Sequence, residues 1–457
     1  MSPAVPVVPR VVVIGLDCLS PDLVFDRYRD DLPTFRALMA AGRWGRLRSV
    51  DPPVTIPAWS CMLSGRTPPQ LGLYGFRHRK LGSYHEHYLA DSRHVRAPRV
   101  WDVLCDNGWS VGLLGVPQTW PLFPVRGFVV GDAPDGTQRL AFPEDLEPEI
   151  RRVVGDYHPD VRGFRSADPA EVLEDIQAVT DQKFALFQHL IATRGGDFLM
   201  MVDMGPDRMH HRFFRHCDPS HRLHQQVAAL PDPVRAYYRR LDAHLARTLE
   251  WVPDTTHVLV VSDHGARSLR GGFCINDWLI ERGLLTLRSP ARAPRPFDES
   301  MVDWKRTLAW AWGGYHGRIF VNLQGREPEG QVSAAELDSF LDQLSQDLAA
   351  IPSPDGRPMG NRVLRFMSGD GDASAQGDYP DLMVYFGDLS WRALGSVGHD
   401  GLFTEGNDTG PDDANHDPMG VLIHRGPVPW PGDEQQGLSI LDVAPAILRW
   451  FGLQLPR

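Results

Sequence analysis

Lysine and cysteine are both scarce in this sequence of 457 residues. Lys80, Lys183 and Lys305 are the only lysines, whereas arginine is abundant. Nothing in the chemistry of the two side chains requires this imbalance, so we attribute it to base composition rather than to function. The five cysteines are odd in number and scattered without Cys-x-x-Cys spacing. This pattern fits neither a disulfide framework nor a zinc–cysteine site.

Long apolar runs are missing as well. No stretch approaches the roughly 18 apolar residues of a membrane-spanning helix. The amino terminus lacks the basic, apolar, small-residue order of a signal peptide. We therefore expect a cytoplasmic protein without a membrane span. The net charge of −11 argues against general nucleic-acid binding, which requires a positive field, although an acidic protein can contain a local basic pocket.

The remaining composition is that of an ordinary globular protein, with 42% hydrophobic and 23% charged residues. The length fits either one large domain with insertions or two domains. Apolar runs alternate with helical patterns, which predicts an α/β fold. The predicted helices cover residues 32–41, 100–107, 230–251 and 334–351, and predicted strands cover 45–50, 110–116 and 317–322. Residues 143–195 are polar and helical in pattern, and we interpret them as a cap or insertion.

Three apolar runs each end at an aspartate. They are Val11–Leu16 before Asp17, Phe198–Val202 before Asp203, and Val258–Ser262 before Asp263. Continuous runs of this kind predict strands that are buried on both faces, as in a parallel sheet. Ligands gather outside the carboxyl ends of such strands. The aspartates therefore predict one metal site assembled from distant parts of the chain.

Further metal-ligand candidates lie near these acidic positions. Asp207 and His211 are four residues apart, which places both side chains on one face of a helix. His264 directly follows Asp263, and the glycine after it permits a bend, while His416 precedes another strand-like run. Taken singly, each has a structural alternative, such as a surface histidine or a helix cap. Together, aspartates and histidines without thiolates suit zinc or manganese.

Thr55 precedes a predicted helix whose first turn contains Pro57. One interpretation is a threonine at or next to the helix N-cap. The other interpretation uses the same geometry, because a helix N-terminus stabilises an alkoxide and then a phosphoryl group. A threonine hydroxyl is a weak nucleophile unless a base or a metal activates it. The metal-ligand pattern elsewhere in the chain favours this second interpretation.

Taken together, these motifs resemble the alkaline phosphatase superfamily, and most of all its type I phosphodiesterase/nucleotide pyrophosphatase branch. Five blocks occur in the order of that family: Gly15-Leu16-Asp17, Thr55-Ile56-Pro57-Ala58-Trp59, Asp207 with His211, Ser262-Asp263-His264-Gly265, and His416 before Gly420. Each block alone is weak, but five in order are specific. The match spans most of the chain and is weakest at 143–195.

The resemblance implies a single catalytic domain over residues 1–457, with a mostly parallel central sheet flanked by helices and with 143–195 as a helical cap or insertion. It implies two divalent metal ions, with zinc preferred to manganese because three histidines favour the more nitrogen-loving ion. One ion would be held by Asp207, His211 and His416. The other would be held by Asp17, Asp263, His264 and the Thr55 oxygen.

The resemblance also implies a reaction. Thr55 would attack phosphorus in line between the two ions, and water would then hydrolyse the phosphothreonine. The implied substrate is a small phosphorylated molecule, a phosphodiester or nucleotide pyrophosphate, with a phosphomonoester as the alternative. The sequence leaves the natural substrate and the oligomeric state open.

One feature of the family is missing. Many members carry an asparagine downstream of the nucleophile, where it contacts a phosphoryl oxygen, but the segment Leu71–Lys80 contains none. Arg77 and Arg79 can donate hydrogen bonds to a phosphate in its place, or the loop can simply be solvated. If the arginines bind phosphate, monoesters are favoured.

Other functions in the superfamily fit less well. A sulfatase or phosphonate hydrolase requires Cys/Ser-x-Pro-x-Arg, whereas Thr55 and Trp59 occupy the two ends of that motif here. A phosphomutase has a large insert at a different place. A non-catalytic homologue would be expected to lose ligands, and all seven candidate positions are present.

Overall fold

The computed structural model describes residues 7–132, 139–165, 168–227, 229–366, 379–428 and 432–456. Its strands are β1 (Val11–Leu16), β2 (Arg43–Arg48), β3 (Arg77–Arg79), β4 (His87–Leu89), β5 (Val111–Leu114), β6 (Gly127–Val130), β7 (Ala141–Phe142), β8 (Phe198–Asp203), β9 (His257–Val261), β10 (Gly265–Ser268), β11 (Gly271–Cys274), β12 (Arg295–Pro296), β13 (Ala309–Trp312), β14 (Gly317–Val321), β15 (Arg362–Arg365), β16 (Leu382–Tyr385), β17 (Trp391–Leu394), β18 (Ser396–Val397), β19 (Phe403–Thr404), β20 (Ala414–Asp417), β21 (Met419–Arg425), β22 (Asp433–Glu434) and β23 (Leu438–Ser439). Its helices are α1 (Pro33–Ala40), α2 (Thr55–Ser64), α3 (Pro68–Leu71), α4 (Val100–Asp106), α5 (Glu147–Val154), α6 (Pro169–Thr193), α7 (Gly205–Cys217), α8 (His224–Val227), α9 (Pro233–Leu249), α10 (Ile275–Glu281), α11 (Leu337–Ala349) and α12 (Val443–Trp450). Short helical turns lie at Asp22–Arg27, Arg29–Asp31, Ser92–His94, Glu144–Leu146, Glu299–Met301, Trp304–Arg306 and Ile440–Asp442.

A central sheet of ten strands runs through the described part of the chain, in the order β22-β2-β21-β9-β1-β8-β5-β6-β7, with β23 also paired to β2. The five strands from β9 to β6 run parallel to one another. Strands β21 and β7 are antiparallel to their neighbours. The prediction of an α/β fold with a mostly parallel sheet is confirmed.

Helices cover both faces of this sheet. In β1, Val12 and Ile14 pack with α1, α6, α7 and α9 on one face, whereas Val11 and Val13 pack with α2, α4 and α12 on the other. Alternate residues of a strand point to opposite faces, so a strand covered twice needs no polar side chains. Each large apolar side chain buried in this way contributes about 1.5–3 kcal/mol. This explains why β1 is a continuous apolar run.

The parallel register aligns the carboxyl ends of three central strands. Leu16 pairs with Asp203 across β1 and β8, and Gly15 pairs with Val261 across β1 and β9. The residues that follow these strands therefore emerge at one edge of the sheet. A pairing between β10 and β20 brings His416 opposite Ala266, two residues after His264. The site is built at this edge.

The helices and strands predicted from apolar spacing are present, with ends displaced by up to three residues: α1, α4, α9, α11, β2, β5 and β14. Within 143–195, α6 packs against α7, α9 and β8 as part of a helical layer, and α5 packs on α6. Residues 159–165 of this segment line the cavity described below. The assignment of a single domain stays a prediction.

A smaller antiparallel sheet, β13-β14-β16-β15, lies beside the central one in the described structure. Its core contains Trp310, Ile319 and Leu344, with α10 and α11 packed on it. In the parts of the chain that the structure describes, no helix combines the length and the apolar character needed to cross a membrane.

Candidate active site

Asp17, Asp263 and His264 form the first group of candidate ligands. One ligand atom from each lies within 4.8 Å of the others, and all three side chains are fully buried. His264 Nε2 is 3.3 Å from Asp263 Oδ2 and 3.8 Å from Asp17 Oδ1. Asp17 directly follows β1, and Asp263 and His264 follow β9 closely, so the parallel register accounts for this group.

Asp207, His264 and His416 form the second group, again with ligand atoms within 4.8 Å of one another. His416 Nε2 lies 3.6 Å from Asp207 Oδ1, and His211 Nε2 lies 3.3 Å from the same oxygen. Asp207 and His211 are on α7, one turn apart, as their spacing indicates. Because His264 belongs to both groups, the two groups are adjacent. Six of the seven predicted ligand residues therefore meet in one buried cluster.

The atoms that face this cluster have no hydrogen-bond partner among the described residues. They are Asp17 Oδ1, Asp207 Oδ1, His211 Nε2, Asp263 Oδ2, His264 Nε2 and His416 Nε2. A buried polar atom without a partner costs about 1–3 kcal/mol. Divalent cations would satisfy all six atoms, and carboxylate oxygens with imidazole nitrogens form a suitable donor set. The residues present therefore fit a metal centre.

The protonation equilibria of the aspartates agree with this interpretation. Burial, and then the charge of Asp207, raises the pKa of Asp17 well above its ordinary value. Burial, and then the charge of Asp17, does the same to the pKa of Asp263. Several carboxylates in one buried space cannot all ionise unless a positive charge lies among them. A divalent cation would supply that charge.

The three histidines differ in their protonation. Burial lowers the pKa of His264 to about 4 and lowers the pKa of His416 well below its ordinary value, so both rings are neutral and can offer a lone pair. Burial also disfavours the charged form of His211, but the carboxylates of Asp412 and Asp207 outweigh it and raise the pKa to about 10. A cation bound at Nε2 of His211 would compete with that proton.

Each histidine makes a second contact through its other ring nitrogen. His211 Nδ1 lies 2.7 Å from Asp412 Oδ1, and His416 Nδ1 lies 2.8 Å from the carbonyl oxygen of Pro53. His264 Nδ1 lies 3.1 Å from its neighbouring Gly265 carbonyl oxygen. These contacts direct each Nε2 toward the cluster. Sequence analysis missed Asp412, although it lies four residues before His416 in a segment rich in Gly, Asp and Asn.

Thr55 is the first residue of α2, and Val54 rather than Thr55 is its N-cap. Two contacts connect this end of α2 to the ligands. Trp59 Nε1 donates a hydrogen bond of 2.7 Å to Asp17 Oδ2, and the Pro53 carbonyl accepts from His416. The backbone N–H groups in the first turn of a helix have no partner within the helix. Thr55 thus belongs to a segment that contacts a ligand of each group through Pro53 and Trp59, at a helix end suited to bind an anion.

Thr55 opens into a cavity of about 740 Å³. Apolar and aromatic side chains form much of its wall, including Phe76, Leu89, Trp120 and Phe164. Its charged lining residues are Asp91, Asp132, Asp160, Arg162, Arg165 and Arg208. Residues 159–165 form one part of this wall. The buried Lys183 on α6 holds this segment in place, because its Nζ donates to the Pro159 carbonyl oxygen at 3.1 Å.

The arginine next to Asp207 is already paired with carboxylates. Arg208 forms ion pairs with Asp160 and Asp207, both at 2.5 Å. Arg165 forms an ion pair of 3.0 Å with Asp412. Sequence analysis did not single out either arginine, and the position of Arg208 beside Asp207 was the available signal. These pairings limit the positive charge left for a substrate.

The structure does not bring Arg79 to the cavity. Its guanidinium forms a buried ion pair with Glu327, with nitrogen–oxygen distances of 2.9 and 3.2 Å, and lies over the rings of Trp310 and Phe320. Both terminal nitrogens of Arg79 bind Glu327, and the guanidinium packs on side chains of β13 and β14. Arg79 therefore stabilises the packing of β3 against the smaller sheet. Arg77, on the same strand β3, is exposed, and its carbonyl oxygen accepts from Arg318. A phosphate contact by Arg77 stays a prediction.

A mostly parallel sheet with aspartates and histidines at its strand ends, beside a threonine at a helix N-terminus, defines a member of the alkaline phosphatase superfamily. The family model for type I phosphodiesterase / nucleotide pyrophosphatase matches residues 11–415, and the chain belongs to this family. It is therefore a hydrolase of phosphoric ester bonds, in a metal-dependent family that acts on small phosphorylated or nucleotide substrates.

Two solved structures share the fold over nearly the whole chain. Human ectonucleotide pyrophosphatase / phosphodiesterase 5 is 12% identical, with a TM-score of 0.56 and with 98% of this chain and 96% of that chain covered. Phosphonoacetate hydrolase from Sinorhizobium meliloti 1021, in complex with phosphonoformate, is 15% identical, with a TM-score of 0.64 and coverage of 97% and 98%. A sequence search of curated proteins finds no match.

Proposed function

We propose that this protein is a phosphodiesterase that works through a phosphothreonine at Thr55. The observation that carries the proposal is the pair of contacts from α2 to the ligand cluster. Trp59 contacts Asp17, and the Pro53 carbonyl oxygen contacts His416, which supports a position of Thr55 next to the unpaired metal-ligand atoms. The same residue opens into the cavity.

Two divalent ions fit the cluster, and zinc suits its three histidines better than manganese does. Asp207, His211 and His416 would hold one ion, and Asp17, Asp263 and His264 with the Thr55 oxygen would hold the other; His264 lies close enough to contribute to either. When bound, these ions would neutralise charge at the phosphate and lower the pKa of the threonine hydroxyl.

The chain's own residues then account for the chemistry. The Thr55 hydroxyl loses its proton to water and its oxygen attacks phosphorus in line, while the first-turn N–H groups of α2 stabilise the added negative charge. The bond to the leaving alkoxide breaks, and the alkoxide takes up a proton from water and departs as the alcohol. A water molecule attacks the phosphothreonine from the side that the alcohol vacated, which releases the phosphoryl product and restores the hydroxyl. The cavity holds the substituents of the ester in place during both steps.

Two observations favour a diester over a monoester. A diester carries one negative charge and a monoester nearly two, and the arginines Arg165 and Arg208 at the cavity are already neutralised by carboxylates. Arg79 is engaged with Glu327. The cavity also extends from Thr55 along apolar side chains, which suits the second organic substituent that only a diester has.

The nucleophile is tested by Thr55→Ala and Thr55→Ser. We expect the alanine variant to lose about three orders of magnitude or more in turnover with its metals still bound, because the group that forms the intermediate is gone. Thr55→Ser should keep measurable activity because it retains the hydroxyl. Mass spectrometry of an acid-quenched reaction should find phosphate on the peptide containing Thr55.

Thr67→Ala is the matched control, since Thr67 caps α3 away from the cluster. It should cost on the order of 1 kcal/mol of stability and leave turnover intact. If Thr55→Ala behaves like Thr67→Ala and no phosphopeptide forms, Thr55 is a structural residue at the helix end.

Substrate preference is tested with bis-p-nitrophenyl phosphate and p-nitrophenyl phosphate. We expect kcat/KM to favour the diester by about tenfold or more, because Arg165 and Arg208 at the cavity are already paired with carboxylates. Arg77→Ala should leave this ratio unchanged. A monoester preference that falls on Arg77→Ala would instead assign phosphate binding to Arg77. Phosphonoacetate belongs in the same panel because the hydrolase of that compound shares the fold.

A further inference from the structure

A second group of metal-binding side chains lies away from the cluster described above. Cys274 ends β11, Asp277 lies in α10, and His399 follows β18. One ligand atom from each lies within 4.8 Å of the others. The three residues come from two distant segments of the chain, so the tertiary structure rather than local sequence brings them together.

The Cys274 thiol is the least explained of these groups. It is fully buried, and within the described ranges it makes no hydrogen bond, which is also true of the buried Cys61. Cys274 differs from Cys61 because its sulfur lies within 4.8 Å of a ligand atom of Asp277 and of His399. A carboxylate does not stabilise a neighbouring thiolate unless a cation lies between the two negative charges.

The neighbouring groups can also accept a cation. The Asp277 carboxylate accepts from the backbone N–H groups of Gly398 at 2.8 Å and His399 at 3.3 Å. His399 Nε2 contacts Ser396 Oγ at 2.9 Å, so the other ring nitrogen, Nδ1, can bind a cation. Asp408 Oδ2 accepts from the Gly395 N–H at 2.8 Å. Each carboxylate oxygen has two lone pairs, so these bonds do not exhaust them.

We propose that Cys274, Asp277 and His399 bind a further divalent ion. A set of one sulfur, one nitrogen and one oxygen suits zinc, with a water molecule as the fourth ligand of a tetrahedral site, and it does not suit magnesium or calcium, which prefer oxygen alone. The ion would join α10 to the segment from Gly395 to Asp408. That segment leads directly to Asp412 and His416, so the ion would help to position the ligands of the main cluster.

Cobalt(II) is the probe that separates this site from the main cluster. Thiolate bound to cobalt gives a charge-transfer absorption in the near ultraviolet, whereas carboxylate and imidazole ligands do not. We expect the cobalt-loaded full-length protein to show this absorption and Cys274→Ala to lose it. Cys105→Ala is the matched control, because Cys105 is only partly buried and lies away from the group. Its absorption should equal that of the wild type.

His399→Ala provides an independent variant that should fold, since His399 is only half-buried and lies outside the helices and strands of the described structure. It should lose the absorption and about one zinc ion per chain by metal analysis. His85→Ala, at an exposed histidine, should lose neither. Asp17→Asn should lower the metal content and leave the absorption intact, which keeps this result separate from the fate of the proposed catalytic site.

Three results would overturn the proposal. One is a wild-type protein without thiolate absorption after cobalt loading. Another is an absorption that survives Cys274→Ala and disappears on Cys18→Ala, because Cys18 lies next to Asp17 and would then be the source. Equal zinc content in the wild type and His399→Ala would have the same meaning.

Discussion

At the scale of single residues, the site depends on side chains that touch no candidate metal position. The side chain of Asp412 is fully buried, and its Oδ1 lies 2.7 Å from His211 Nδ1, with Arg165 at 3.0 Å and Arg392 at 3.1 Å from its other oxygen. Burial alone would raise the pKa of Asp412, but His211, Arg392 and Arg165 outweigh it and hold the pKa below its ordinary value. A charged partner of this kind orients a ligating histidine.

We therefore expect Asp412→Asn to weaken metal binding by about 10–100-fold, since the amide keeps the shape but loses the charge that supports His211. Competition against a fluorescent chelator measures the affinity. Asp413→Asn is the neighbouring control, because Asp413 pairs with Arg215 and not with a histidine ligand. Equal affinities in Asp412→Asn and the wild type would restrict Asp412 to a structural role.

At the scale of elements, the contact between β9, β21 and α12 contains two histidines. His257 Nδ1 lies 3.1 Å from His424 Nε2, and the two rings stack on Trp450 with centroids 4.2 and 4.6 Å away. Burial lowers the pKa of His257. Burial, and then the charges of His257 and Arg43, lower the pKa of His424 to about 4. Because both pKa values are lowered, the rings of His257 and His424 are neutral at pH 7 in this contact.

The pH dependence follows from the direction of these shifts. Between about pH 6.5 and pH 4 the unfolded chain binds a proton at His424 and the folded chain does not, and the lowered pKa of His257 acts in the same direction. The stability from the neutral pair is therefore complete above about pH 6.5 and is lost as the pH falls toward about 4, by on the order of 2 kcal/mol.

Urea unfolding across this pH range measures the effect. His424→Gln should reduce the dependence, because glutamine does not titrate, whereas His85→Gln at an exposed position should leave it unchanged. An unaltered pH profile in His424→Gln would show that other groups cause the loss of stability in acid.

At the scale of the whole molecule, the buried metal-ligand atoms couple stability to metal. We expect chelation to abolish activity and to lower the melting temperature, because an ion that binds only the folded state stabilises it by mass action and because the site's carboxylates otherwise repel one another. Zinc, and less effectively manganese, should restore both. His211→Ala and His416→Ala should empty mainly one position, and Asp17→Asn should weaken the other.

Calorimetry with and without chelator, next to an activity assay, checks this expectation. Asp17→Asn should show a smaller drop in melting temperature on chelation than the wild type does. A chelated, metal-free protein with full activity would contradict the proposed mechanism.

Much of the fold could be predicted from the sequence because its physical cause is local. The run Val11–Leu16 is apolar throughout because helices cover both faces of β1, and the spacing of Asp207 and His211 follows from one turn of α7. Thr55 could be placed at a helix end, although Val54 proved to be the N-cap. Patterns that span only a few consecutive residues can be recognised directly in the sequence.

Other features depend on pairs of residues hundreds of positions apart, and no local pattern marks them. Arg79 and Arg77 looked alike in sequence, but Glu327 lies opposite only Arg79 and engages its guanidinium. Asp412 supports His211 from 201 residues away. The scattered cysteines excluded a zinc–cysteine motif, whereas a site with a single cysteine, such as the one proposed at Cys274, leaves no spacing to detect.

The sequence by itself determined the apolar strands, the aspartates at their ends and the helical spacing of the ligands, because each of these follows from the local geometry of strand or helix. Only the tertiary structure decided which charges are paired. An ion pair such as Arg208 with Asp160, or Arg79 with Glu327, depends on which segments the sheet brings together. Burial removes the pair of Arg79 and Glu327 from water, and Asp160 engages a largely buried Arg208, so that partners distant in the chain determine the availability of these arginines to a substrate.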